Sequence, residues 1–165
     1  MDSLILQQLE QLCEAPLPAE YLQRLQCYPQ ALQSANRADD GSDAEGTAAD
    51  VEFLISHREI LNINLEVRGC SILDPEGQEF RWPDQLLVIG ETGDGDYYCV
   101  DTDGEHEGVL QFRHYAVEFE VIADSLDDFV EMLMQAFVER STTGDDTEDD
   151  DDGELPDAPD EKTSE

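Results

Sequence analysis

Six acids fall between Glu91 and Glu105: Glu91, Asp94, Asp96, Asp101, Asp103 and Glu105. Carboxylates this dense suggest three chemistries. A calcium loop needs acids at positions 1, 3 and 5, glycine at 6 and glutamate at 12, and the run D-G-D…D-T-D-G-E does not keep that order. A carboxylate pair can act as general acid and base in glycoside hydrolysis, but with 42 acids in the chain chance pairs are abundant. The third is an acidic face that mimics nucleic-acid phosphates toward a basic protein, made of these six residues with Tyr98. Turn chemistry competes with it, since aspartate and glycine favour such positions, and it is the leading reading for Asp94 and Asp96.

The other reactive residues carry less. His57, His106 and His114 have no marked nucleophile, and no G-x-S-x-G elbow occurs. His57 falls in the first turn of an expected helix, where a cation is disfavoured. His106 lies in an acidic turn whose carboxylates favour its charged form, and His114 beside a strand reads as structural. Cys13, Cys27, Cys70 and Cys99 are scattered without a C-x-x-C pair and read as structural thiols. Neither a metal nor a cofactor is expected. Trp82, Tyr97, Tyr98 and Tyr115 are candidate interface anchors, with core packing the safer reading for Trp82. Tyr97 and Tyr98 must face opposite sides of a strand, so one belongs to the core and the other is more exposed.

The 165 residues carry a net charge of −34. The segment 141–165 holds 12 acids and one base, leaving 30 acids against seven arginines in the rest. Nucleic-acid binding needs cation clusters, which this chain lacks, and an anionic membrane surface repels it. A basic protein is the complementary partner; solubility is the other reading of the charge. No apolar run approaches a membrane span, and the start, MDSLILQQLEQLCEAPLP, has no basic lead-in to an unbroken apolar segment, so the expected location is the cytoplasm.

The elements that position these residues follow from periodicity. Leu86–Asp101 reads as two antiparallel strands around Gly93, Asp94, Gly95 and Asp96, and the all-apolar Leu86–Ile89 as a strand covered on both faces. Ile5, Leu9 and Leu12 predict a helix over Ser3–Glu14, stopped by Pro16 and Pro18; Tyr21, Leu25 and Tyr28 predict a second from Ala19, ended or kinked by Pro29. The acidic 36–50 stretch reads as an exposed insert. A strand over Val51–Ile55 precedes a helix over His57–Val67 with Ser56 and Glu59 at capping-box spacing, Ile60, Leu61, Ile63, Leu65 and Val67 as its apolar residues, and Gly69 at its end. A short strand over Cys70–Leu73 leads into the Asp74–Gly77 turn. Val109–Phe112 and an alternating Val117–Val121 complete an antiparallel meander, and Leu126, Phe129, Val130, Leu133, Met134 and Phe137 predict a long helix behind a Ser125 cap.

In order, Leu17-Pro18 with Tyr21, then Phe53, Glu59, Ile60 and Asn64, then Trp82-Pro83, resemble the SUKH superfamily, the SMI–KNR-like domains. The resemblance continues through Leu87–Ile89, Gly93 to Tyr98 with Asp101, Val109 with His114, and Ile122 to Phe129, covering roughly 17–138. It implies an α+β fold, one domain over 1–140 with a twisted antiparallel sheet of about four to six strands and N-terminal helices and a C-terminal helix packed on it; the 141–165 segment is not part of the family pattern, and its composition, which cannot bury apolar area and repels itself, reads as a disordered acidic tail. It makes Trp82, Pro83, Gly93, Gly95, Tyr97, Ser125 and Phe129 signature positions. Many bacterial members are immunity proteins that bind and block a toxin, often a nuclease; fungal relatives are interaction hubs. The expectation is a non-enzymatic binding domain directed at a basic toxin, with a housekeeping scaffold as the alternative and a small carboxylate hydrolase as the third reading.

Overall fold

The computed structural model describes residues 3–30, 32, 51–92 and 94–143. The expected insert over 36–50, the tail beyond 143 and Gly93 lie outside the described residues. In chain order the elements are α1 (Ser3–Cys13), α2 (Ala19–Gln26), β1 (Val51–Phe53), α3 (His57–Gly69), β2 (Ile72–Leu73), β3 (Glu79–Phe80), β4 (Leu86–Thr92), β5 (Tyr97–Asp101), β6 (Val109–Arg113), β7 (Glu118–Ala123) and α4 (Leu126–Thr143). α4 runs three residues past Arg140, where the tail was expected to begin. The fold is α+β: a five-stranded antiparallel sheet in the order β1-β4-β5-β6-β7 and a separate β2–β3 hairpin.

β4 sits inside the sheet, and Leu86, Leu87, Val88 and Ile89 are all buried. Tyr97 and Tyr98 show what covers the two faces. Tyr98 packs on Phe129 of α4, with ring centroids 5.0 Å apart. Tyr97, on the opposite face, joins a cluster of Phe80, Trp82, Phe112 and Phe119, so the β2–β3 hairpin and Trp82 close that side. The Trp82 indole N–H donates to the Leu86 carbonyl at 2.8 Å, and the Pro83 carbonyl accepts from Leu86 N at 3.1 Å, which sets the entry into β4.

The helices form where the apolar spacing places them. Leu9 and Cys13 bury the inner face of α1. The helix ends one residue before the expected Glu14, which takes a left-handed φ of 53°. On the α2 side, Tyr21 is fully buried against Phe53, and Tyr28 stacks on the same ring at 4.7 Å. The Ser56 hydroxyl accepts from Glu59 N at 3.5 Å to cap α3. Ser125 accepts from Asp128 N at 3.1 Å and donates to the Asp128 carboxylate at 2.7 Å to cap α4.

α3 differs from its expected pattern at two positions. Leu65 is half exposed, while the adjacent Asn64 is fully buried. β1 ends at Phe53, opposite Gly90, and Leu54 N donates to the Ile89 carbonyl, so among the described residues no strand lies along the edge of β4 beside Val88. The Asn64 amide takes that place. It donates to the Val88 carbonyl at 2.8 Å and accepts from Val88 N at 2.9 Å, as a neighbouring strand would. Its second N–H goes to the Ile60 carbonyl and its oxygen also accepts from Arg68, so both donors and both acceptor sites are used. One turn on, Arg68 donates to the carbonyls of Asp84 and Leu86, continuing the cover along the same edge.

β7 also differs. The expected strand over Val117–Val121 begins at Glu118 instead, because Val117 adopts a φ of 53° to close the turn back to the Arg113 carbonyl. Phe119 reaches the aromatic cluster, but Val121 is exposed: β7 is the last strand of the sheet, with a neighbour on one side only.

Candidate functional site

The acids singled out by the sequence gather at the two ends of β5. At its start, the β4–β5 turn is closed by Thr92 N donating to the Asp96 carbonyl at 2.9 Å and Asp96 N donating to the Thr92 hydroxyl at 3.1 Å. Gly95 takes a φ of +91°, the left-handed conformation that calls for glycine, and faces the His114 ring. One oxygen of Asp96 accepts from both the backbone N–H of His114 at 3.0 Å and its ring Nδ1 at 2.7 Å, and the other accepts from Gln111 at 2.9 Å. Partial burial raises the Asp96 carboxyl. The hydrogen bonds from His114 and Gln111, with the nearby imidazole charge, outweigh it and hold the group below the usual carboxylate range.

The far end of β5 repeats the device. One oxygen of Asp101 accepts from both the backbone N–H of His106 at 3.2 Å and its Nδ1 at 2.8 Å, while the other accepts from Asp103 N at 2.9 Å. The Asp101 side chain is fully buried and the His106 ring about half exposed. A carboxylate at Nδ1 requires a proton there, so each imidazole presents Nε2 away from its aspartate. Among the described residues, neither ring hydrogen-bonds to a serine, threonine or cysteine. The two aspartates act as clamps. Asp96 ties the β4–β5 turn to β6 and the turn after it, and Asp101 shapes the turn between β5 and β6.

The sequence-predicted surface therefore divides. Asp94, Asp103 and Glu105 are exposed, and Glu91 and Asp96 are partly covered. Tyr98 and Asp101 are buried, so neither is presented to a partner. This also settles the tyrosines: Tyr98 is core and Tyr97 is the more exposed. Asp96 and Asp101 lie five positions apart along β5, roughly 16 Å at about 3.3 Å per residue. The acids form two poles rather than one patch. Among the described residues, Arg113, at the Asp96 end, pairs with Glu120 at 2.6 Å, and Arg24, on α2, pairs with Asp127. Asp101, Glu105 and His106 bring one potential metal-ligand atom each within 4.8 Å of one another, and Asp101 and His106 are also hydrogen-bonded to each other through Nδ1.

Sequence reasoning missed the cleft beside the Asp101 pole. It has a volume near 370 Å³ and is bounded by the start of α2, the β5–β6 turn and the β7–α4 junction. Glu20, Glu107 and Asp124 stand on its walls, drawn from segments far apart in the chain. Gly108 shapes it. At a φ of +84°, a Cβ there would lie 2.0 Å from the Ala123 carbonyl oxygen, so only glycine lets β6 begin this close to the end of β7.

The family model described as the SMI1 / KNR4 family (SUKH-1) matches residues 3–132. The chain belongs to this family. Searches of curated proteins and of solved structures each gave no match. The SUKH-1 match begins with α1, earlier than the 17–138 span of the motif resemblance, and ends within α4. It takes in every strand of the sheet, both aspartate–histidine clamps and the walls of the cleft.

Proposed function

We propose that this SUKH-1 chain is a non-enzymatic, cytoplasmic protein-binding domain, an immunity protein that binds and blocks a basic, nuclease-type toxin. The observation that carries the reading is the pair of acidic poles at the ends of β5, where Asp94, Asp103 and Glu105 face solvent while nearby arginines are engaged elsewhere. A surface of this sign speeds encounter with a cationic protein and repels nucleic acid and anionic lipid. The clamps hold the pole backbones in place, so little ordering cost falls on the binding step. The folded elements through Thr143 act as the binding domain, with Glu91, Asp94, Asp103 and Glu105 toward the partner and Asp96, Tyr98 and Asp101 supporting from beneath, and the acidic segment 144–165 follows. The resemblance to SUKH domains, many bacterial members of which are immunity proteins, supports the toxin as partner.

The reading expects a nuclease-type toxin encoded beside this chain's gene, so a neighbourhood without one counts against it, and the test is titration of that toxin with the purified protein. Activity falling to zero at one equivalent is the expected result. A nuclease that keeps its activity in excess protein, with no complex on gel filtration, overturns the reading.

A further inference from the structure

The two sides of the sheet are finished differently. On the β1 side, Asn64 and Arg68 of α3 cover the backbone of β4 beyond Phe53. On the other side β7 is last, and it bonds to β6 alone: among the described residues no backbone hydrogen bond outside that pairing reaches Glu118–Ala123. In an antiparallel strand alternate residues turn both N–H and C=O away from the neighbour, so β7 presents a row of unpaired donors and acceptors. A chain laid along such an edge gains main-chain hydrogen bonds, and its side chains set the specificity.

The side chains of β7 decide which chain fits. Glu118 and Glu120 point to one face, Phe119 and Val121 to the other. Phe119 packs with Trp82 and Phe112, and Val121, 53% exposed, leaves apolar surface open on that same face. Glu120 pairs with Arg113, whereas the exposed Glu118 forms no ion pair among the described residues. A second copy of this chain fits poorly. Each copy carries a net charge of −34, and residues directly opposite in an antiparallel pair share a face, so β7–β7 pairing centred on Phe119 or Glu120 sets glutamate opposite glutamate. A strand with a basic residue at every second position suits both faces. At the start of the edge, Tyr115 is 83% exposed in the β6–β7 turn, its ring resting on His114, which Asp96 holds. Val117, a β-branched residue, takes a costly left-handed φ of 53° in the same turn. An aromatic ring on so constrained a turn is an anchor with little ordering cost.

We propose that the open edge of β7 receives an extended segment of the basic partner as a further strand, its basic residues opposite Glu118 and Glu120 and its alternating apolar residues against Phe119 and Val121. This rests on the partner reading and deepens it: the acidic poles speed the encounter, and strand addition fixes the partner in register.

The probe is an end-blocked Lys-Val-Lys-Val-Lys-Val peptide, with Lys-Lys-Lys-Val-Val-Val as the control of equal charge and composition. Isotope-labelled full-length protein is titrated with each at physiological ionic strength and followed by amide NMR and hydrogen exchange. In the free chain, the β7 amides that do not face β6 should exchange fast. The alternating peptide should give saturable shifts at Tyr115 and along Glu118–Val121, and slow the exchange of those outer amides at least about tenfold; the control should do neither. The Glu118→Lys/Val121→Lys double variant, altered at two exposed positions, should weaken the alternating peptide at least about tenfold and weaken the block of the toxin. Outer amides already protected in the free chain, equal effects of the control, shifts spread evenly over the acidic surface, or full-strength peptide or toxin binding by the double variant would each overturn the proposal. Such a failure removes the β7 edge alone; the partner reading falls only if the wild-type chain does not block the toxin.

Discussion

Asn64→Leu is the sharpest probe of how this fold holds its functional strands. Leucine has nearly the shape of asparagine, so the substitution removes hydrogen bonds with little change in packing. Val88 is fully buried, and both of its edge-facing backbone groups are satisfied by the Asn64 amide. The variant leaves that N–H and that carbonyl without partners, while Arg68 keeps the carbonyls of Asn64, Asp84 and Leu86. At about 1–3 kcal/mol for each unsatisfied buried group, the loss comes to about 2–6 kcal/mol. Natural domains have about 5–15 kcal/mol in total, so much of the stability is at stake. Trp82, the single tryptophan, is buried beside β4 and reports unfolding by fluorescence in urea. With m of about 1–3 kcal/mol/M, the midpoint should fall by about 0.7 M or more. Leu65→Ala, at the exposed neighbouring position, should change stability by no more than about 0.5 kcal/mol. A loss under about 1 kcal/mol for Asn64→Leu at unchanged m would refute the view that this side chain stands in for a strand.

Three further outcomes follow from the same geometry. Asp96 has a depressed folded-state pKa, so its clamp contributes stability above the reference value of 3.8 and loses it as pH falls through the folded value; Asp96→Asn should destabilise the protein at pH 7 by about 1.5–3 kcal/mol, with the difference vanishing in acid-denaturation curves below that range. Gly108→Ala forces a Cβ against the Ala123 carbonyl at a left-handed φ and should cost at least about 2 kcal/mol in thermal or urea unfolding; an unchanged midpoint would show that the β6–β7 approach is loose. Tyr98→Ala should lose about 3–5 kcal/mol of core stability in urea, because the ring packs on Phe129, whereas Tyr98→Phe should bind the partner as wild type does.

Much of the scaffold was legible because its signals are local. The Ser56 and Ser125 caps are read from residues three apart, the long helix from the spacing of Leu126, Phe129 and Val130, and the burial of β4 from its unbroken apolar run. What escaped depends on where one element ends against another. Nothing near Asn64 in the sequence shows that β1 stops at Phe53 and leaves Val88 to be paired by a side chain. Whether Tyr98 or Tyr97 faces the C-terminal helix depends on sheet register, and the exposure of Val121 on β7 being last in the strand order. The five-residue spacing of Asp101 and His106 was visible but has no local rule attached to it. The cleft combines residues 18–21, 100–108 and 124–126, a juxtaposition that only the folded sheet creates.

The central claim is that the acidic poles draw in and hold a basic polypeptide. The most direct measurement is the association rate of the wild-type chain with the nuclease-type toxin expected beside its gene as ionic strength rises from about 0.01 M to about 0.15 M, which shortens the Debye length from about 30 to about 8 Å. The account predicts a one-to-one complex whose association slows about tenfold or more over that range, and an Asp94→Asn/Asp103→Asn/Glu105→Gln variant that associates more slowly with a shallower salt dependence. A rate indifferent to salt and to those three carboxylates, or no complex at all, would contradict it.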